Sequence, residues 1–327
     1  MEQSAVRDGV TAEEVKGILL GMASGQETLL GYFRRFIRNF EKRVGINRTV
    51  GSLRAYSNAY SHIERFLQAQ YKLSDIPFSA LDRSFIDKYD LYLRTERNLA
   101  PGTIINLTVQ LKTIVGEAIA DGIITASPFM GYEPVRPKHV QKYLTAEELH
   151  RIMTTPLHRQ PLYHVRDMFL FSCFTGIPYG DMRLLTKDNL CLAEDGIWWI
   201  KSARQKTKIE FEIPLLDLPL QILKKYSGTA PGDKLLPMYC NSTLNLYLKE
   251  IARICHIDRP LVFHAGRHTY ATEITLSHGV PLETVSRMLG HSQIETTQIY
   301  AKVTDEKIDA DTKALNRKIS ERFSVVI

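Results

Sequence analysis

Towards its C-terminal end the chain reads His264-Ala265-Gly266-Arg267-His268, then Leu289-Gly290-His291, then Tyr300. These residue types suit one reaction, attack on a phosphodiester by a phenolic oxygen. Arginine grips two non-bridging phosphate oxygens at once. Imidazoles donate hydrogen bonds or move protons, and tyrosine supplies a covalent nucleophile. With a helix starting near His264, His264 and Arg267 share a face at i,i+3. Ser292-Gln293-Ile294-Glu295 has the form of a capping box, and Gly290 just before it suits the end of the preceding helix. A helix begun there carries Tyr300 in its third turn. His264 and His268 are spaced i,i+4, as zinc-binding histidines are. No glutamate follows the first, and Arg267 between them is a poor neighbour for a dication. His268 is therefore read as a helix-packing residue.

The elements that must hold these residues follow from periodicity. At 327 residues the chain is long enough for two domains with cores. Residues 1–24 are a lead-in with a helix start at Thr11-Ala12-Glu13-Glu14. Residues 25–135 read as all-helical. Leu29, Tyr32, Phe33 and Phe36 recur at helical spacing, then Tyr56, Tyr60, Ile63 and Leu67, then Ile104, Leu107, Leu111, Ile114 and Ala118. A helix start is expected at Ser84, Pro101-Gly102 precedes the longest helix, and Gly122 ends it. Arg34, Arg35, Arg38, Arg43, Arg48, Arg54 and Lys112 fall on the outer faces. Residues 136–143 form a linker that Pro137 stiffens and that carries Arg136, Lys138 and Lys142.

From residue 144 to 327 the pattern is mixed. Thr145-Ala146-Glu147-Glu148 is a capping box, and a buried helix is expected from Tyr163 to Thr175. Ile197 to Ile200 and Ile209 to Ile213 read as the strands of a β-hairpin with a basic tip, Lys201 to Lys208. Helices follow near Leu218, with Asp217 as N-cap, and near Thr243. Beyond Tyr300 a helix-like segment from Asp305 to Phe323 ends in the apolar Val325-Val326-Ile327. The fold class expected is mainly α with a small β-sheet.

Bulk properties narrow the partners. A formal charge of +6 suits a polyanion. No apolar run approaches the ~20 residues of a membrane span, and no signal-peptide pattern opens the chain. Cys173, Cys191, Cys240 and Cys255 lack paired spacing and read as reduced core or boundary thiols of a cytoplasmic protein. Cys255-His256 has no second pair to complete a metal site. No cofactor is expected.

His264-x-x-Arg267, Leu289-Gly290-His291 and Tyr300 together resemble the tyrosine recombinase, or phage integrase, family. The resemblance implies a SAM-like, core-type DNA-binding domain and an α+β catalytic domain that form a C-shaped clamp on double-stranded DNA. It implies a site-specific recombinase that cleaves and rejoins strands through a 3′-phosphotyrosyl intermediate, needs neither metal nor ATP, and integrates or excises a mobile element. Tyr300 would be the nucleophile. Arg267 would hold the scissile phosphate, His264 would handle a proton or touch the phosphate, and His291 would donate to a non-bridging oxygen. Lys206 matches the hairpin lysine that protonates the leaving oxygen, and Arg136, Lys138, Lys142, Arg204 and Lys206 are the expected DNA contacts. Partners implied are a homotetramer on DNA, joined by exchange of C-terminal segments, and accessory DNA-bending or directionality proteins. The expected place of action is the cytoplasm, on the nucleoid.

One position departs from the family pattern. The first catalytic arginine of the family follows Thr-Gly-x, but here Thr175-Gly176-Ile177 leads into Pro178. Asp181 keeps the acidic position that braces the site. In this the chain resembles integrases of conjugative and mobilisable transposons that also lack this arginine. Arg204 is the best substitute cation and Arg183 the second. The competing reading is a non-catalytic DNA-binding relative. A metal-dependent nuclease lacks the carboxylate cluster that it needs.

Overall fold

The computed structural model describes residues 16, 25–135, 142–300 and 305–319, and divides into two compact units, Met1–His139 and Val140–Ile327. Arg136, Lys138 and the tail from residue 320 lie outside the described residues.

The first unit is helical. Its main helices are Leu29–Glu41, Val50–Phe66, Arg83–Thr95 and Pro101–Ala120. Local chemistry sets their ends. The Asp75 carboxylate accepts from Leu30 N (2.8 Å) and Gly31 N (3.0 Å), capping the first helix from outside. Thr49 accepts from Ser52 N at 3.1 Å. The helix expected at Ser84 starts one residue earlier, because Asp82 is the N-cap and accepts from Phe85 N at 2.7 Å. Pro101 opens the longest helix, where its missing N–H costs nothing. The core joins Leu29, Phe33, Ile63, Phe66, Tyr89, Ile104, Leu111 and Ile114, all nearly or fully buried. Phe36, Tyr56 and Tyr60 pack at its margin. The arginines of the outer faces are exposed, as is Lys112.

The second unit is built around the helix Gln160–Thr175, whose Leu162, Val165, Met168, Phe169 and Phe171 are buried. A capped helix, Ala146–Thr154, precedes it; Thr145 and Glu148 make both halves of the capping box. The sheet has three antiparallel strands in the order β1 (Leu190–Leu192), β2 (Trp198–Ala203), β3 (Glu210–Pro214). The third strand, β1, has no pattern of its own and forms by pairing Leu190 with Ile200. Ile200 pairs with Ile213, and both face the core with Phe211. Ile197 lies outside β2 and is exposed, so only part of the apolar run is buried.

The helices Asp217–Lys225 and Asn241–Ile254 cover the central helix. Asp217 lies inside the first of these, after the N-cap Leu216, and makes no capping bond. Cys173 and Cys255 are buried, Cys191 is intermediate, and Cys240 is exposed, outside any core.

Candidate active site

The segment that carries the chemistry begins at Ala265–Thr269, a single helical turn with His264 as its N-cap. It packs closely on the central helix because residue 266 is glycine. A Cβ there would meet Ser172 Oγ at 2.9 Å and Ser172 Cβ at 3.0 Å. Thr269 Oγ1 donates to Ala265 O (2.9 Å) and accepts from Leu144 N (3.0 Å), tying the start of the unit to this turn. The helix then widens into a π-turn, Tyr270–Thr275.

Arg267 is 3% exposed. Its Nη1 donates to Gly176 O at 2.9 Å and its Nη2 to Leu289 O at 2.7 Å. Both acceptors are at helix C-termini, where carbonyls lack helical partners and the dipole favours a cation. Gly176 (φ 69°) and Gly290 (φ 63°) are the left-handed residues that end those helices. A side chain at either would be strained and would force a neighbour to move. A Cβ on Gly176 would meet Tyr270 Cδ1 at 2.5 Å, and one on Gly290 would meet Arg204 Cγ at 2.8 Å. Burial lowers the Arg267 pKa to about 10, with Arg204 adding to the effect and Tyr300 and Asp181 opposing it.

Arg204 reaches the same point from the hairpin. Its Nη1 donates to Leu289 O at 3.2 Å, so two guanidiniums share one carbonyl. Its Nε lies 2.8 Å from Asp181 Oδ2, and Asp181 Oδ1 accepts from Gln205 N at 2.8 Å. β2 ends at Ala203 and residues 205–207 form a turn, closed by Arg204 N to Ile209 O and Lys208 N to Arg204 O, both 2.8 Å. Arg204 and Lys206 therefore do not share a strand face, as an extended tip would require. Pro178 caps the short helix Tyr179–Met182. Arg183 is exposed, with its guanidinium over the Tyr179 ring at 5.9 Å.

His291 Nε2 is 2.8 Å from Arg267 Nη2, and its Nδ1 is 2.7 Å from Thr297 Oγ1. Its ring stacks on Tyr300 with centroids 6.3 Å apart and planes 7° apart. Tyr300 is 6% exposed. The expected capping box at Ser292 does not form. His291 N bonds back to Ser286 O at 3.1 Å, so the chain turns His291 towards Arg267 before a helix can begin. The helix that follows is only Glu295–Gln298, with Ile294 as N-cap, and Tyr300 lies beyond its end rather than in a third turn.

His268 packs, but against the site. Its ring is 4.9 Å from that of His264 and 5.1 Å from that of Tyr300. Burial and neighbouring cations lower the pKa of His264, and burial with its neighbours takes His268 and His291 each to about 4. Each shift favours the neutral ring.

Arg204, Lys206, His264, Arg267, His268, His291 and Tyr300 line one cavity of about 840 Å³. Lys142 and Arg259 also line it. Arg259 is a residue that the sequence reading missed. It donates to both Glu148 carboxylate oxygens (2.5 Å each) and to Tyr143 O (2.7 Å). Thr297 and the carbonyls of Gly176 and Leu289 were missed too. Backbone acceptors leave no sequence signal, whereas the i,i+4 spacing from His264 could have brought His268 to the site.

The phage integrase family profile matches residues 142–307, and that of the phage integrase SAM-like domain matches residues 28–134. The tyrosine recombinase XerD of Listeria monocytogenes is 26% identical over 273 residues, which cover 78% of this chain and 89% of that protein. XerD of Staphylococcus saprophyticus is 26% identical over 297 residues, covering 86% and 96%. The Tn1549 transposon integrase, solved in complex with transposon right end DNA, has the same fold at a TM-score of 0.67 and 19% identity, covering 88% of this chain and 99% of that one. A lambda integrase tetramer bound to a Holliday junction matches at a TM-score of 0.68 and 17% identity, covering 86% and 80%.

Proposed function

The chain belongs to the phage integrase family, and from that premise we propose that it is a site-specific DNA recombinase with Tyr300 as nucleophile. The observation that carries the reading is the convergence of two guanidiniums on Leu289 O, beside three imidazoles and the phenol, in one cavity. That is a cradle for a phosphodiester. Arg267 and Arg204 bind its non-bridging oxygens and stabilise the charge that grows in the transition state. The Tyr300 oxygen bonds to phosphorus as the bond to the 5′ oxygen breaks. Lys206, exposed at the cavity edge, gives that oxygen its proton. The phenolic proton passes towards His264 by way of His268, the ring that lies next to both Tyr300 and His264. Attack by a second 5′ hydroxyl reverses the step, so bond energy is conserved and neither ATP nor a metal is required.

Arg204 takes the place of the arginine missing at Pro178. Asp181 orients it, and it shares an acceptor with Arg267, whereas Arg183 lies over Tyr179 at the surface. On this basis the chain belongs with the recombinases of conjugative and mobilisable transposons that lack the first arginine. Lys142, at the cavity, and Arg136 and Lys138 before it contact the DNA backbone. The working assembly is a tetramer on a recombination site in the cytoplasm, with C-terminal segments exchanged between protomers. The integration or excision of a mobile element is the biological outcome.

The test is incubation with a nicked suicide duplex in EDTA and without ATP. An SDS-stable protein–DNA adduct is expected. Tight binding of the duplex with no adduct would instead identify a non-catalytic DNA-binding relative.

A further inference from the structure

His291 is held on both sides, and the two contacts decide which nitrogen carries its proton. Arg267 Nη2 lies 2.8 Å from Nε2. A guanidinium has donors only, so Nε2 must accept. The neutral ring then carries its proton on Nδ1 and donates it to Thr297 Oγ1 at 2.7 Å. In that state Nε2 has no hydrogen to offer a phosphate oxygen. A phosphodiester in the cavity is itself an acceptor. It draws Arg267 Nη2 to itself, and it gains from His291 only when the proton is on Nε2.

Thr297 has the chemistry to serve both states. A hydroxyl carries one donor and two acceptor sites, so it accepts from Nδ1–H or donates to bare Nδ1 by rotating about one bond. Thr297 is 0% exposed, so its hydroxyl has no solvent alternative. Its backbone is fixed as well. Thr297 N donates to Ile294 O at 2.7 Å, and Thr297 O accepts from Tyr300 N at 2.9 Å. One buried residue therefore joins the His291 ring to the backbone of the nucleophile.

We propose that Thr297 is a positioning residue that lets His291 exchange tautomers, with Nδ1–H in the free protein and Nε2–H when a phosphodiester fills the cavity. The proposal rests on the recombinase reading above. The ring is neutral in both states: the proton lost from Nδ1 is balanced by the one gained at Nε2, through exchange with water in the cavity. The change arms His291 as a donor only after the phosphate has engaged Arg267.

Two measurements test it. In the full chain with nitrogen-15-labelled histidine and Tyr300→Phe to prevent covalent capture, His291 is assigned by its disappearance in His291→Gln. Its nitrogen shifts should report Nδ1–H without DNA and Nε2–H with the nicked duplex. The same tautomer in both states overturns the proposal, and this result needs no change at residue 297. Separately, Thr297→Val keeps the shape and removes the hydroxyl, while Thr297→Ser keeps the hydroxyl. The single-turnover adduct rate should fall roughly tenfold or more in the valine variant, the range for losing an orienting partner. Its duplex Kd should be unchanged, and serine should restore most of the rate. A merely structural threonine would lower Tm in both variants with no rescue by serine. A parental rate from Thr297→Val sinks this inference alone, whereas an adduct from Tyr300→Phe sinks the recombinase reading itself.

Discussion

The two units treat arginine in opposite ways. In the helical unit Arg34, Arg35, Arg38, Arg43, Arg48 and Arg54 all face solvent around a core of aliphatic and aromatic side chains. In the catalytic unit Arg267 is 3% exposed, beside an Asp181 that is 6% exposed. Burial of a charge is unfavourable unless its donors are satisfied, and the lowered Arg267 pKa records that cost. Two helix C-termini, two left-handed glycines and one carboxylate are arranged to offset it. Packing governs the first unit. In the second, a polar network is maintained against its own desolvation, as a preorganised site requires.

The sharpest way to break this comparison is at Tyr300. Tyr300→Phe removes one oxygen and little packing, so duplex binding should persist while the covalent adduct disappears entirely on denaturing gels. Arg204→Ala should come next, with a loss of adduct rate on the order of 10²–10³-fold, the range for losing one transition-state donor. It also leaves Asp181 buried without its cation, which costs about 3–5 kcal/mol in comparable pairs, so urea titration must accompany the assay. Arg204→Lys should restore little, because a point charge lacks the two-pronged contact. Arg183→Ala should leave the adduct rate near the parent's. Equal rates from Arg204→Ala and the parent would end the assignment.

Glycine substitutions sharpen the contrast. Gly122 in the helical unit has φ 72° and nothing within 4 Å of an added Cβ. Gly122→Ala should cost only the backbone term, about 1–2 kcal/mol, and leave the adduct rate of bound complex unchanged. Gly290→Ala carries the same backbone term and also pushes on Arg204, whose Cγ is 2.8 Å from the new atom. Stability and adduct rate should fall together there.

Acid should separate the units more gently. His268 and His291 titrate near 4 in the folded protein, against about 6.5 when unfolded. The unfolded state binds more protons between those values. Stability from these rings is therefore complete above about pH 6.5 and is lost as pH falls towards 4. His164 and His264 shift the same way in the catalytic unit, and His62 does so in the helical one. Both tryptophans, Trp198 and Trp199, lie in the catalytic unit. Their fluorescence should change at a higher pH than the far-ultraviolet helical signal, and coincident transitions would contradict the idea. The smallest effect is expected at the helical surface. Affinity for the duplex should fall steeply between about 50 and 200 mM salt, and Arg43→Ala should reduce the logarithmic salt slope by about 1.

The sequence by itself determined the helical unit almost completely, because one apolar face per helix is written in the spacing of residues such as Ile104, Leu107, Leu111 and Ile114. It also singled out His264, Arg267, His291 and Tyr300 as candidates for chemistry, since they are distinctive as an ordered set. It placed the hairpin, whose first strand is a short apolar run and whose second alternates, and the Thr145 cap, which is local. The tertiary structure alone decided how those side chains meet. Leu289 O and Gly176 O are backbone atoms with no sequence signature, yet they fix Arg267. The turn from Gly290 to Ile294 overrode the local capping signal at Ser292, because the bond from Arg267 to the His291 ring and that from His291 N to Ser286 O need the chain to bend there. Strand β1 exists only as a partner of β2. Periodic burial is a property of neighbouring residues and can be read along a chain. Satisfaction of a buried charge depends on groups that are distant in sequence, such as Gly176, Arg204 and Leu289, and arises only when the chain has folded.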